Sequence, residues 1–150
     1  MPDPEQPRRM AIRGLHHLTL ISADMDATTA FYRDLLGLAL VQEAISDDDP
    51  EARHHWFDTG GGQRISFLEY PTMEKGVVGT GSTHHIALAV DSPEELDVWR
   101  DYLTQHGVES SQIFERNGFR SLYLRDPDGH ILELATRVGA VAVPPSAPPA

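Results

Sequence analysis

Apolar positions alternate with polar ones in short runs along this chain, and the same order of runs occurs twice. Residues 14–22 read Gly-Leu-His-His-Leu-Thr-Leu-Ile-Ser and residues 82–90 read Ser-Thr-His-His-Ile-Ala-Leu-Ala-Val. A His-His pair thus opens a strand-like run in each half, with a repeat of 68 residues from His17 to His85. Helical spacing follows each run. Ala27, Ala30, Phe31 and Leu35 share one face of a helix predicted over 24–36, and Leu96, Trp99 and Leu103 share one predicted over 92–106. Ser92 with Glu95 makes a capping box, Pro93 suits a first helical turn, and Gly37 and Gly107 suit helix stops.

Three strand candidates come after each helix: 39–44, 53–58 and 64–70 in the first half, then 110–115, 119–125 and 130–136 in the second. The last two of each set are joined by Thr59-Gly60-Gly61-Gly62 and by Asp126-Pro127-Asp128-Gly129. No helical pattern follows the three glycines, so they predict a hairpin turn and not a phosphate loop. The expectation is an α+β fold of two tandem βαβββ modules, residues 12–71 and 83–137, whose mixed sheet curves around a shared cavity. A flexible leader (1–11), a linker (72–82) and a disordered Pro-rich tail (138–150) complete it.

Strand alternation sorts the polar residues by face. Leu18 and Leu20 pack under the first helix, leaving His17 and Thr19 on the other side. Ile86, Leu88 and Val90 do the same for His85, and Leu132 and Leu134 for Glu133. Tyr123 faces out with Ser121 and Arg125, and alternation puts His54 and His55 on opposite faces, where they read as structural or interfacial. Two imidazoles and one carboxylate on equivalent faces suit a divalent ion, iron or manganese with positions left open, or zinc. A Glu between two packed leucines is costly to bury without a partner, and a metal supplies one.

Charge and composition narrow the partners. A net charge of −11 lacks the basic face that nucleic acid requires. The run Asp47-Asp48-Asp49 reads as a solvated loop. With no cysteine there are no disulfides or thiolate sites, which fits a reducing cytoplasm. No apolar run approaches the roughly 20 residues of a membrane span.

Between about residues 12 and 137 the sequence resembles the vicinal oxygen chelate superfamily of glyoxalase I, extradiol dioxygenases, fosfomycin-resistance enzymes and methylmalonyl-CoA epimerase. The resemblance rests on His16-His17, on Phe31-Tyr32-Arg33-Asp34-Leu35-Leu36-Gly37-Leu38, and on Asp126-Pro127-Asp128-Gly129 leading to Glu133-Leu134. It implies His17, His85 and Glu133 as metal ligands. A narrower likeness, through Arg116, residues 119–125 and Glu133-Leu134-Ala135-Thr136, is to ring-cleaving hydroquinone dioxygenases. That likeness implies catalytic or pocket roles for His16, His84, Arg116 and Tyr123, with Thr19 beside the metal.

On this reading the chain is an Fe(II)-dependent dioxygenase consuming O2 and a hydroxylated aromatic compound, with Mn(II), Zn(II) or Ni(II) as other metals. Those dioxygenases are about twice this length. Glu69, aligned with Glu133 near the end of the equivalent strand, suits instead a glyoxalase- or epimerase-type enzyme with a fourth ligand. A non-catalytic drug-binding protein is the third reading. The resemblance also implies a homodimer, with each metal site shared between subunits.

Overall fold

The computed structural model describes residues 11–137, leaving aside the side chain of Arg116. The expected leader (apart from Ala11) and the tail lie outside these residues. Among the described residues eight strands form two four-stranded mixed sheets. The first half runs β1 (His17–Ser22), α1 (Met25–Thr29), β2 (Ala39–Ile45), β3 (Arg53–Asp58) and β4 (Arg64–Glu69). The second runs β5 (Ile86–Val90), α2 (Pro93–Gln105), β6 (Phe114–Arg116), β7 (Phe119–Arg125) and β8 (Ile131–Thr136). The sheet orders are β1-β4-β3-β2 and β5-β8-β7-β6, so both halves have one topology. In each, the first strand is parallel to the last and the remaining pairs are antiparallel.

The apolar faces meet their helices as the alternation requires. Leu20, Phe57, Ile65 and Phe67 are buried with Phe31, Tyr32 and Leu36, while Leu122, Leu124, Leu132 and Leu134 are buried with Leu96 and Leu103. Each such side chain contributes about 1.5–3 kcal/mol relative to exposure. Asp24 caps α1 by accepting from Ala27 N, and Ser92 caps α2 by accepting from Glu95 N. Gly37 and Gly107 follow the helix ends at φ of 79° and 73°, the left-handed geometry that a side chain resists.

Two elements differ from expectation. The first helix is α-helical only over five residues and continues as π-helical turns over Ala30–Leu35, with Leu36 N donating to Phe31 O. These wider turns bury the adjacent aromatics Phe31 and Tyr32 together. The strand expected at 110–115 is instead the three residues of β6, preceded by one isolated bridge, Ser110 to Leu124.

The Asp126–Gly129 turn of the second half docks on the first. Tyr32 OH donates to Asp126 Oδ2 at 2.8 Å, Ala23 N donates to Asp128 Oδ1 at 2.9 Å, and His130 Nε2 donates to the Ile21 carbonyl at 2.9 Å. Burial, then the neighbouring Asp126, pushes the Tyr32 hydroxyl well above its ordinary pKa, and burial likewise raises Asp126. Tyr102 OH adds a bond to the Leu35 carbonyl at 2.7 Å.

Candidate metal centre

The ladder of β5 and β8 sets Ala87 opposite Glu133, and that of β7 and β8 sets Tyr123 opposite Glu133. These residues therefore share the face turned away from α2, together with His85, which immediately precedes β5. His85 Nε2 lies 2.9 Å from Glu133 Oε1. The carboxylate is buried, and its second oxygen, Oε2, has no hydrogen-bond partner. A buried anionic oxygen without a partner is costly. An imidazole nitrogen beside a carboxylate with a spare oxygen is a donor set that fits a divalent metal. Tyr123 packs edge-on against His85 with centroids 5.8 Å apart, backed by Phe114 at 6.1 Å.

The first half presents the other histidine. His17 and Thr19 stand on the face of β1 away from α1, beside His54 and Trp56 of β3 and Ser66 of β4. Trp56 lies between two imidazoles, 4.8 Å from the His17 ring and 4.6 Å from that of His54. Thr19 Oγ1 is 2.7 Å from Ser66 Oγ, which is 3.0 Å from His54 Nε2. Burial, and next the charge of His17, lowers the His54 pKa from its ordinary 6.5.

Both histidine pairs share one geometry. His16 Nδ1 is 2.8 Å from His17 Nδ1, and His84 Nδ1 is 2.7 Å from His85 Nδ1. In each pair the second ring is held through Nδ1, so Nε2 is the nitrogen turned to the ligand face, where that of His85 meets Glu133 Oε1. This geometry gives His16 and His84 an orienting contact with the ligand imidazoles. The backbone of Arg116 lies in β6, opposite Phe119, and its side chain is outside what the structure describes.

The three ligand candidates do not gather within one chain. Among the described residues, the single group of three His, Asp or Glu side chains with ligand atoms within 4.8 Å of one another is Asp126, Asp128 and His130. That group is the brace between the halves. Asp126 Oδ1 accepts from Asp128 N and His130 N, its Oδ2 accepts from Tyr32, and Asp128 accepts from Ala23 N and Thr28. Each of these carboxylate oxygens already has a donor, so the cluster reads as structural.

Glu69 departs from expectation. Leu18 pairs with Ile65 as Ile86 pairs with Leu132, so the residue equivalent to Glu133 is Ser66. Glu69 falls three positions later and has the opposite parity. Its Oε2 accepts from Met25 N at 2.6 Å, at the start of α1, and lies 3.9 Å from Arg53 Nη1. A carboxylate there serves the helix N-terminus, not the face that carries His17.

His54, read from sequence as structural or interfacial, and Ser66, which sequence reasoning passed over, are polar residues of this face. The available signal was Phe57: an apolar inward residue on β3 puts His55 inward with it and His54 outward. His55 is indeed buried, with Nδ1 2.9 Å from Thr29 Oγ1.

A sequence profile of the Glyoxalase/Bleomycin resistance protein/Dioxygenase superfamily matches residues 14–134. The chain belongs to this superfamily. Among its curated relatives is MhqA of Bacillus subtilis, whose name assigns it provisionally to the ring-cleaving dioxygenases, 30% identical over 128 residues. That alignment covers 83% of this chain and 40% of MhqA, so the chain spans less than half of that relative's length. A crystal structure of a B. subtilis protein assigned provisionally as a dioxygenase aligns with TM-score 0.75 and 31% identity over 83% of this chain and 40% of that one. A variant of the fosfomycin resistance protein FosX from Listeria monocytogenes, solved with Mn(II) and 1S,2S-dihydroxypropylphosphonic acid, aligns with TM-score 0.64 and 28% identity. There the match covers 83% of this chain and 92% of FosX.

Proposed function

We propose that the chain is a metal-dependent ring-cleaving dioxygenase acting on a hydroxylated aromatic compound, with Fe(II) held by His17 of one subunit and by His85 and Glu133 of its partner in a homodimer. The observation that carries this reading is the His85–Glu133 pair with its spare, buried carboxylate oxygen. Support for ring cleavage over isomerisation comes from the face of the first half, where Ser66 and not a carboxylate stands at the position equivalent to Glu133. Two carboxylates around one metal, as the isomerase reading needs, are not provided. The likeness to MhqA points the same way.

The bound metal would supply positive charge to polarise a phenolic oxygen and positions where substrate and O2 meet. The chain's own residues do the rest. His16 and His84 fix the rings of His17 and His85. Tyr123, beside Glu133 and His85, holds or moves a proton at a substrate oxygen. Arg116 binds the substrate's anionic group, and Thr19 borders the metal. Among the described residues no helix is long and apolar enough to cross a membrane, and a cytoplasmic location is part of the proposal.

The test is oxygen uptake after anaerobic reconstitution with Fe(II), using a panel of hydroquinones and catechols, with Mn(II), Zn(II) and metal-free controls. Iron-dependent uptake with loss of aromatic absorbance is expected, absent in His17→Ala and Glu133→Ala. No uptake by a protein that binds metal tightly would overturn it. A second reading, a resistance enzyme of the kind FosX is named for, is supported by the 28% identity and TM-score of 0.64 with that protein. Mn(II)-dependent consumption of fosfomycin would establish that alternative.

A further inference from the structure

The two halves present the same positions to the site but fill them differently. Reading the ladders against each other, His17 corresponds to His85, Ser66 to Glu133, Trp56 to Tyr123, His54 to Ser121 and Thr19 to Ala87. The second half therefore offers an anionic ligand. The first offers a neutral hydrogen-bonded row, Thr19 Oγ1 to Ser66 Oγ to His54 Nε2, at 2.7 and 3.0 Å.

We propose that Thr19, Ser66 and His54 form the part of the pocket that receives an oxygen substituent of the substrate, a hydroxyl or an oxyanion, at the place where a second carboxylate would otherwise reach the metal. This inference rests on reading His17, His85 and Glu133 as the ligand set. Three observations carry it. The serine is fully buried and shorter than a glutamate, with its hydroxyl held between Thr19 and His54, so it acts on a bound group through Thr19. Thr19, at the row's outer end, is exposed and lies two residues along the same strand face from His17.

The third is the chemistry of the row itself. A hydroxyl carries one proton and two lone pairs, and a neutral imidazole has one donor and one acceptor nitrogen. If Ser66 donates to His54 Nε2, Thr19 donates to Ser66 and presents lone pairs to the pocket. If His54 Nε2 donates to Ser66, Ser66 donates to Thr19 and Thr19 presents its proton. The first polarity takes a hydroxyl and the second takes an oxyanion. His54, through its tautomer, sets which of them Thr19 offers, and Trp56 fixes the ring of His54 against that of His17. The row is thus a determinant of specificity and not of metal affinity.

The experiment is calorimetric titration of the Zn(II)-loaded protein with 4-nitrocatechol, glycolate and methylphosphonate, alongside titration of the metal-free protein with zinc. Ser66→Ala and His54→Leu should weaken the best-bound probe by roughly tenfold, since each strands a hydrogen-bonding partner. His54→Gln, which keeps a nitrogen at the same reach, should restore binding to near wild type. Zinc affinity should be unchanged in all three. Binding of glycolate or methylphosphonate but not 4-nitrocatechol, with the same loss in the variants, would sustain the row while removing the aromatic substrate. Three results would overturn the row: variants that bind every probe as wild type does, a wild type that binds none, or a loss of zinc affinity matching the loss of probe. Should Ser66→Ala fail to fold, the His54→Leu and His54→Gln pair decides alone.

Discussion

His85 Nε2 and Glu133 Oε1 stand 2.9 Å apart, while the other oxygen of the same carboxylate is buried with no partner. An unpaired buried anionic oxygen opposes folding, and a metal that accepts it reverses the sign. Glu133→Gln should therefore leave the metal-free protein at least as stable as wild type. It should also weaken zinc binding by more than the roughly 10- to 100-fold that follows loss of an outer partner. Thermal unfolding of chelator-treated protein, with and without Zn(II), checks both. In wild type, free metal at about 100 times its Kd should add about 2.7 kcal/mol. A variant that is less stable without metal, or that binds zinc normally, would remove Glu133 from the ligand set.

If each centre draws His17 from one subunit and His85 with Glu133 from the other, two defective chains can repair each other. A heterodimer of His17→Ala and Glu133→Ala subunits holds one centre with both defects and one intact centre. Mixing the two variants after reversible dissociation should restore tight binding of about one metal per heterodimer, on the symmetry argument of a two-fold dimer. Metal content after gel filtration is the measurement. Ligand sets confined to single chains would give no restoration.

Tyr32→Phe removes the hydroxyl that donates to Asp126 Oδ2, and among the described residues no other group donates to that oxygen. Leaving a buried acceptor without its donor costs about 1–3 kcal/mol. The midpoint of urea unfolding should fall accordingly with its slope unchanged.

His55 gives the stability a pH dependence of definite sign. Burial lowers its pKa from 6.5, with the charge of Arg53 as the next cause. Unfolded chains take up the proton first, so the stability it contributes is complete above about pH 6.5 and declines as pH falls toward the lowered folded value. His55→Asn should flatten that part of the profile. Urea midpoints measured between pH 7.5 and 5.5 test it, and an unchanged slope would rule out His55 as its source.

Most of the fold was legible because its signals are local. The duplicated His-His openings, the capping box at Ser92, the helix stops at Gly37 and Gly107 and the leucine faces of β7 and β8 each sit within a few residues of what they determine. Glu69 was misplaced because it resembles Glu133 in being a glutamate near a strand end. Which face a strand residue takes depends on ladder parity, and only the pairing of Leu18 with Ile65 fixes that. The π-helical turns were illegible for a related reason. They follow from fitting Phe31 and Tyr32 into one core and from the bond of Tyr32 to Asp126, 94 residues away. Phe57 marks the inward parity of β3, but Trp56 beside it is apolar too, and only the pairing of Trp56 with Ser66 puts Trp56 and His54 on the outer face.

The replacement of a carboxylate by a hydroxyl at Ser66, in one copy of a duplicated module, has an electrostatic consequence. Imidazoles ligate metals in their neutral form, so a divalent ion held by His17, His85 and Glu133 carries one uncompensated positive charge. The protein as a whole carries −11. A small anion would thus meet repulsion from the protein's net charge and attraction at one local cationic well, whose charge a ligand of −1 would neutralise. Glutamate at both duplicated positions would have cancelled it.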